Sequence, residues 1–182
     1  LLSEITGYVP KWGILTGVRP SKLMNSLIKD YGDDGAKKYF TDKLLVCGKK
    51  TELAYSVAKA EEKIMSLSDE KSFSLYVSIP FCPTRCAYCS FVSYATPAYL
   101  ATLPDYLDVL CQDIERVCRE IKESGERLLT VYIGGGTPTV LDGKQLDRLL
   151  SVVRKSIGDT RLLEFTVEAG RPDTVTAEKF GV

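Results

Sequence analysis

Cys82, Cys86 and Cys89 have the types and spacing for metal chemistry. They lie in Tyr76–Phe91, YVSIPFCPTRCAYCSF, in the order C-x3-C-x2-C. Three thiolates this close can hold three corners of a metal cluster and leave a fourth metal open. Structural zinc sites usually close with four ligands, as two separated pairs. Iron–sulfur clusters are thiolate-bound and accept varied spacings. The spacing therefore points to a [4Fe–4S] cluster with one iron free; a zinc knuckle or three buried cysteines is the alternative. Leu75–Ile79 is a short β-like run that Pro80 ends by removing a ladder donor. Pro83 disfavours helix at Cys82. The thiols are thus expected on a loop behind a strand.

Further candidates fall at other strand ends. Gly134, Gly135, Gly136, Thr137 and Pro138 follow a second apolar run. Glycines let a backbone approach a ligand closely, although a plain tight turn reads the same way. Without a Lys-Ser/Thr ending the run is not a Walker-type phosphate loop. Glu168 closes a third run and is either an acceptor for ribose hydroxyls or an ammonium group, or a solvated carboxylate. Tyr76 faces the cluster or fills the core, depending on the pleat. Tyr88, between two ligands, is expected exposed near the open iron. Arg85 either offsets cluster charge or is solvated. Cys111 and Cys118 share an apolar helical stripe and are expected in the core; Cys47 stands alone, buried or inert.

These residues need elements to position them. Residues 1–70 read as a small helical module, with Ser21 as N-cap of a helix that Gly32 stops and a longer helix over 51–66. The polar stretch 66–72 reads as a linker. From residue 71 strands and helices alternate: strands over 73–79, 128–133 and 162–167, helices over 105–124 and 144–157, and a helix start at 176–179. Apolar stripes at helical period followed by Gly125 and Gly158 mark the two helices. β-α-β crossovers make the strands parallel, so the fold class is α/β, a sheet or partial barrel. Three strands do not close a barrel. Residues 71–182 are therefore expected to be the first half of a core domain, and the 182 residues expressed alone to be inactive and to self-associate or be poorly soluble.

Composition narrows the chemistry. Lys+Arg and Asp+Glu balance at 24 each, which gives no basic surface for nucleic acid. No apolar run approaches a membrane span, and no signal pattern is present. Clustered reduced thiols fit the cytoplasm. The chain has no histidine, which argues against hydrolase triads, zinc proteases and di-iron sites.

Taken together, Tyr76-x-x-Ile79-Pro80-Phe81-Cys82-x3-Cys86-x-Tyr88-Cys89, Tyr132-Ile133-Gly134-Gly135-Gly136-Thr137-Pro138-Thr139 and Val167-Glu168 resemble the radical SAM family of oxygen-independent coproporphyrinogen III oxidases. Gly13–Pro20 (GILTGVRP) and Glu168–Asp173 (EAGRPD) resemble its coproporphyrinogen dehydrogenase HemZ-type branch. The resemblance implies a partial (β/α) barrel and a [4Fe–4S] cluster on Cys82, Cys86 and Cys89. It also implies S-adenosylmethionine bound at the open iron, near Tyr76, Gly135 and Glu168. Tyr88, Gly136 and Thr137 match positions that contact a second S-adenosylmethionine. The implied reaction is radical decarboxylation of coproporphyrinogen propionates to vinyl groups in haem biosynthesis, with a flavodoxin- or ferredoxin-type electron donor. The sequence departs from the oxidases at Phe91, where they carry a fourth cysteine, and at Ser78, where they tend to have histidine. A haem-binding chaperone on the same scaffold, or another radical reaction on a tetrapyrrole such as haem degradation, stays open.

Overall fold

The structure is a computed structural model and describes residues 2–17 and 19–181. Val18, in the GILTGVRP stretch, lies outside the described residues. Contacts divide the chain into two compact units, 1–67 and 68–182.

The first unit is helical: α1 (Leu2–Thr6), α2 (Pro20–Lys38), a π-helical turn at Tyr39–Lys43 and α3 (Gly48–Met65). Met24, Leu27, Ala36, Phe40, Val46, Ala54 and Ala58 form its buried core. Pro20 occupies the first turn of α2, where its missing N–H costs nothing. Ser21 is therefore inside the helix rather than its N-cap, and its hydroxyl donates to Glu61 Oε1 at 3.0 Å. Gly32 breaks the helical path with φ 72°, ψ 176°, but the chain resumes the helix beyond it. Cys47 is exposed, so of the two readings, buried or inert, burial is excluded. It caps α3 through its carbonyl, which accepts from the backbone of Lys50 and Thr51; nothing there draws its side chain inward.

The second unit contains β1 (Ser72–Ile79), α4 (Pro97–Leu100), α5 (Leu103–Glu123), β2 (Arg127–Gly135), a 3-10 turn at Pro138–Val140, α6 (Gly143–Ile157), β3 (Glu164–Val167), a 3-10 turn at Pro172–Thr174 and α7 (Ala177–Phe180). The polar stretch before β1 takes part in this unit: Asp69 accepts from Ser72 Oγ at 2.6 Å and from Arg127 at 2.7 Å. The sheet runs β1-β2-β3, all parallel, with Val77 opposite Ile133 and Ile133 opposite Val167.

Strand alternation sends Val77, Ile79, Val131 and Ile133 to one face, where they pack with Leu107, Cys111 and Ile114 of α5 and Leu146, Leu149 and Val153 of α6. Cys111 and Cys118 are in this core, and burial pushes both thiols upward in pKa. α6 begins with a capping box: Gln145 N–H donates to Asp142 Oδ1 at 2.8 Å and Asp142 N–H to Gln145 Oε1 at 3.0 Å. Arg148 of α6 pairs with Asp108 of α5 across the helices' outer surface. Both crossover helices thus share one face of a sheet whose strands follow chain order. A doubly wound sheet reverses its order and carries helices on both faces; the order here is that of a (β/α) barrel. The other face presents Tyr76, Thr130, Tyr132, Glu164 and Thr166, polar or aromatic and none of them buried. No helix among the described residues is long and apolar enough to cross a membrane.

Candidate metal-cluster and cofactor site

The cysteine loop is pinned where it leaves the sheet. Phe81 bridges Tyr94; Cys82 N–H donates to the Tyr94 carbonyl at 3.0 Å, and Tyr94 N–H to the Pro80 carbonyl at 2.7 Å. The Phe81 ring meets Tyr106 of α5 edge-on at 5.2 Å, and the Tyr106 hydroxyl donates to the Ser78 carbonyl at 2.7 Å. Cys82 is consequently buried at the strand end, while Cys86 and Cys89 are part-exposed further along. Cys89 N–H donates to the Cys86 carbonyl at 3.0 Å, a turn that keeps the last two thiols together.

The end of β2 passes directly beside this loop. Gly135 has φ +112°, a backbone region that side chains disfavour. At Gly136 a Cβ would lie 2.7 Å from the Phe81 carbonyl oxygen and 2.9 Å from Cys82 Sγ, so only glycine permits the approach. Gly136 N–H donates to the Ile79 carbonyl at 2.8 Å, locking the two strand ends together. Thr137, expected to face a cofactor, is buried and donates its hydroxyl to Cys82 Sγ at 3.3 Å.

Glu168 follows β3 at the same end of the sheet. Its Oε1 accepts from the Tyr132 hydroxyl at 2.5 Å, and this bond is the main reason the Tyr132 phenol is pushed up to about 12. Tyr76 stacks on Tyr132 with ring centres 5.7 Å apart and planes 12° from parallel. Tyr76 therefore belongs to the open face rather than to the core. A cleft of about 290 Å³ runs between Gly136–Pro138 and Glu168–Arg171.

Arg171 borders this cleft and touches the cysteine loop. Nη1 donates to the Thr84 carbonyl at 3.0 Å and approaches Cys86 Sγ at 3.9 Å; Nη2 donates to Thr84 Oγ1 at 2.8 Å. Thr137 and Arg171 line the same cleft and bond Cys82 and Cys86 respectively, and Cys89 follows Cys86 within one turn. Tyr88 is 90% exposed, as its position between two ligands suggested. Arg85, the charge the loop sequence offered, only reaches the Cys89 carbonyl at 3.4 Å. The cation against the thiols is Arg171, 85 residues after Cys86, and no local pattern reveals that pairing.

The donor set fits a [4Fe–4S] cluster. The three thiols are free and are soft ligands, and Thr137 and Arg171 supply hydrogen bonds to the sulfurs of Cys82 and Cys86. Among the described residues no three His, Cys, Asp or Glu side chains converge on a single metal ion. A cubane with thiolates on three separate irons requires no such convergence.

The radical SAM superfamily model matches residues 76–179, more than half of the chain. The oxygen-independent coproporphyrinogen-III oxidase-like protein HemZ of Bacillus subtilis is 36% identical over all of this chain and 37% of its own length. The heme chaperone HemW of Haemophilus influenzae is 37% identical over 59% of this chain and 28% of its own. The solved coproporphyrinogen III oxidase HemN of Escherichia coli aligns over 59% of this chain and 24% of its own, with 27% identity and a TM-score of 0.45. The chain thus spans little more than a third of the HemZ relative and about a quarter of the others. With its cysteine loop, glycine-rich strand end and strand-end glutamate at one edge of a parallel sheet, the chain belongs to the radical SAM superfamily, in its HemN/HemW-like branch.

Proposed function

We propose that this chain carries the cofactor-binding part of an enzyme that oxidatively decarboxylates the propionates of coproporphyrinogen III to vinyl groups. The observation that supports this reading is the meeting of three thiols, the Gly135–Gly136 turn and Glu168 at one end of the sheet. Cys82, Cys86 and Cys89 would hold three irons. When bound, the cluster and S-adenosylmethionine together supply one-electron cleavage of a sulfonium bond, and so a radical able to take an unactivated hydrogen.

The protein's own residues do the rest. Tyr132 occupies one oxygen of Glu168, which fixes the carboxylate and leaves its second oxygen to accept from a ribose hydroxyl or an ammonium group. Gly136 brings bare backbone to the same cleft, directly after Gly135 at the end of β2. Tyr76, stacked on the Tyr132 that holds Glu168, and Tyr88, in the cysteine loop, are both exposed. In the proposed reaction each propionate loses carbon dioxide, one hydrogen atom and one electron. The chain therefore needs a one-electron acceptor, together with a flavodoxin- or ferredoxin-type donor to start each cycle.

A second reading is a haem chaperone on the same scaffold. Phe91 favours it, standing two residues beyond the last cysteine and 69% exposed, as does the likeness to proteins named for that role. The experiment is an anaerobic assay of the full-length protein with S-adenosylmethionine, reductant and coproporphyrinogen, run beside a haem titration. Formation of 5′-deoxyadenosine with vinyl product supports the enzyme. Stoichiometric haem binding without turnover supports the chaperone.

A further inference from the structure

We propose that Arg171 is a positioning residue that clamps the cysteine loop and tunes the cluster through Cys86. An arginine has five N–H donors, and all five are engaged. Nε and one Nη2 proton go to the Asp173 carboxylate, at 3.0 and 3.1 Å. The other Nη2 proton goes to Thr84 Oγ1, and Nη1 divides its two between the Thr84 carbonyl and Cys86 Sγ. Asp173 holds the guanidinium plane on one edge while the opposite edge faces the loop. The side chain is only 21% exposed, so water competes weakly for these bonds.

The loop has little else to hold it. Its ends are fixed by the Phe81–Tyr94 bridge, and Cys82 at its start is held by Thr137. Between residues 83 and 92 the remaining hydrogen bonds stay inside the loop. Among the described residues, only Arg171 bonds that stretch to the rest of the chain. A lysine keeps the charge but not the fork that binds Asp173 and Thr84 at once. Hydrogen bonds to ligand sulfur stabilise the more negative, reduced cluster and raise its potential. Losing the Arg171 N–H therefore makes the cluster harder to reduce.

This inference rests on the cluster reading above, and the test separates the two. Hydrogen–deuterium exchange over residues 82–91 is measured in apoprotein for wild type, Arg171→Met and Arg171→Lys. Redox titration by electron paramagnetic resonance follows on the reconstituted proteins. Arg171→Met is expected to speed exchange of the loop about tenfold and to lower the reduced-to-oxidised ratio at a fixed potential by about tenfold, which is 59 mV for one electron. Arg171→Lys should recover part of both effects. Wild-type exchange or a wild-type potential in Arg171→Met overturns the clamp. Failure of the wild type to bind iron overturns the cluster reading instead, and the apoprotein exchange still decides the clamp.

Discussion

The two faces of the three-stranded sheet are built from alternate residues of the same strands, yet they do opposite work. Ile133 and Val131 face α5 and α6 and are fully buried, while their neighbours Tyr132 and Thr130 face away and stay partly accessible. One face carries stability, where apolar area is removed from water. The other forgoes that gain to keep Tyr76, Tyr132 and Glu168 available. The difference shows where each kind of substitution should register: in folding on the helical face, in ligand binding on the open one.

The largest expected contrast is in stability. Leu149, fully buried between α6 and the sheet, should cost about 2–5 kcal/mol in urea unfolding when changed to alanine. Tyr76→Ala should cost only about 1 kcal/mol, the worth of its stack on Tyr132. Equal losses would erase the distinction between the faces.

A loss of similar size should move to binding when the open face is altered. Glu168→Ala should weaken S-adenosylmethionine binding by about 1.5–3 kcal/mol, the range for hydrogen bonds to a charged group, with iron content unchanged. Unaltered affinity in calorimetry would return Glu168 to an ordinary strand-end carboxylate.

Within the helical face, Cys111→Ala and Cys118→Ala should each cost about 1 kcal/mol of stability and leave iron content as it was. Any loss of iron would join the α5 thiols to the loop thiols and break the separation.

The smallest effect sharpens the Tyr132–Glu168 contact. Tyr132 is held protonated by Glu168 and ionises near 12 instead of 10.0. A phenol whose pKa rises on folding contributes stability that is fully present below pH 10 and is lost as the pH climbs through 12. Absorbance titration should find that the late-ionising tyrosines lose one member, Tyr132, in Glu168→Gln.

Much of this was readable in the sequence because it is local. Helical stripes ending at Gly125 and Gly158 located α5 and α6, and Pro80 marked where β1 stops. Strand ends were less legible: β2 continues through Gly134 and Gly135, glycines that read as a turn but pair with Ser78 and Ile79. Contacts between distant elements were not legible at all. Tyr132 and Glu168 are 36 residues apart and meet only because β2 and β3 pair in register. Thr137 lines the cleft, but its bond to Cys82, 55 residues earlier, could not be read from the chain. Cys47 read as buried or inert because isolated cysteines are often buried; it is exposed and caps a helix with its backbone.

Anaerobic reconstitution tests most directly whether Cys82, Cys86 and Cys89 form one cluster site. Iron and acid-labile sulfide should each reach about four per chain, and Cys82→Ala, Cys86→Ala and Cys89→Ala should each abolish that uptake. Full iron and sulfide content in Cys86→Ala would contradict a single site.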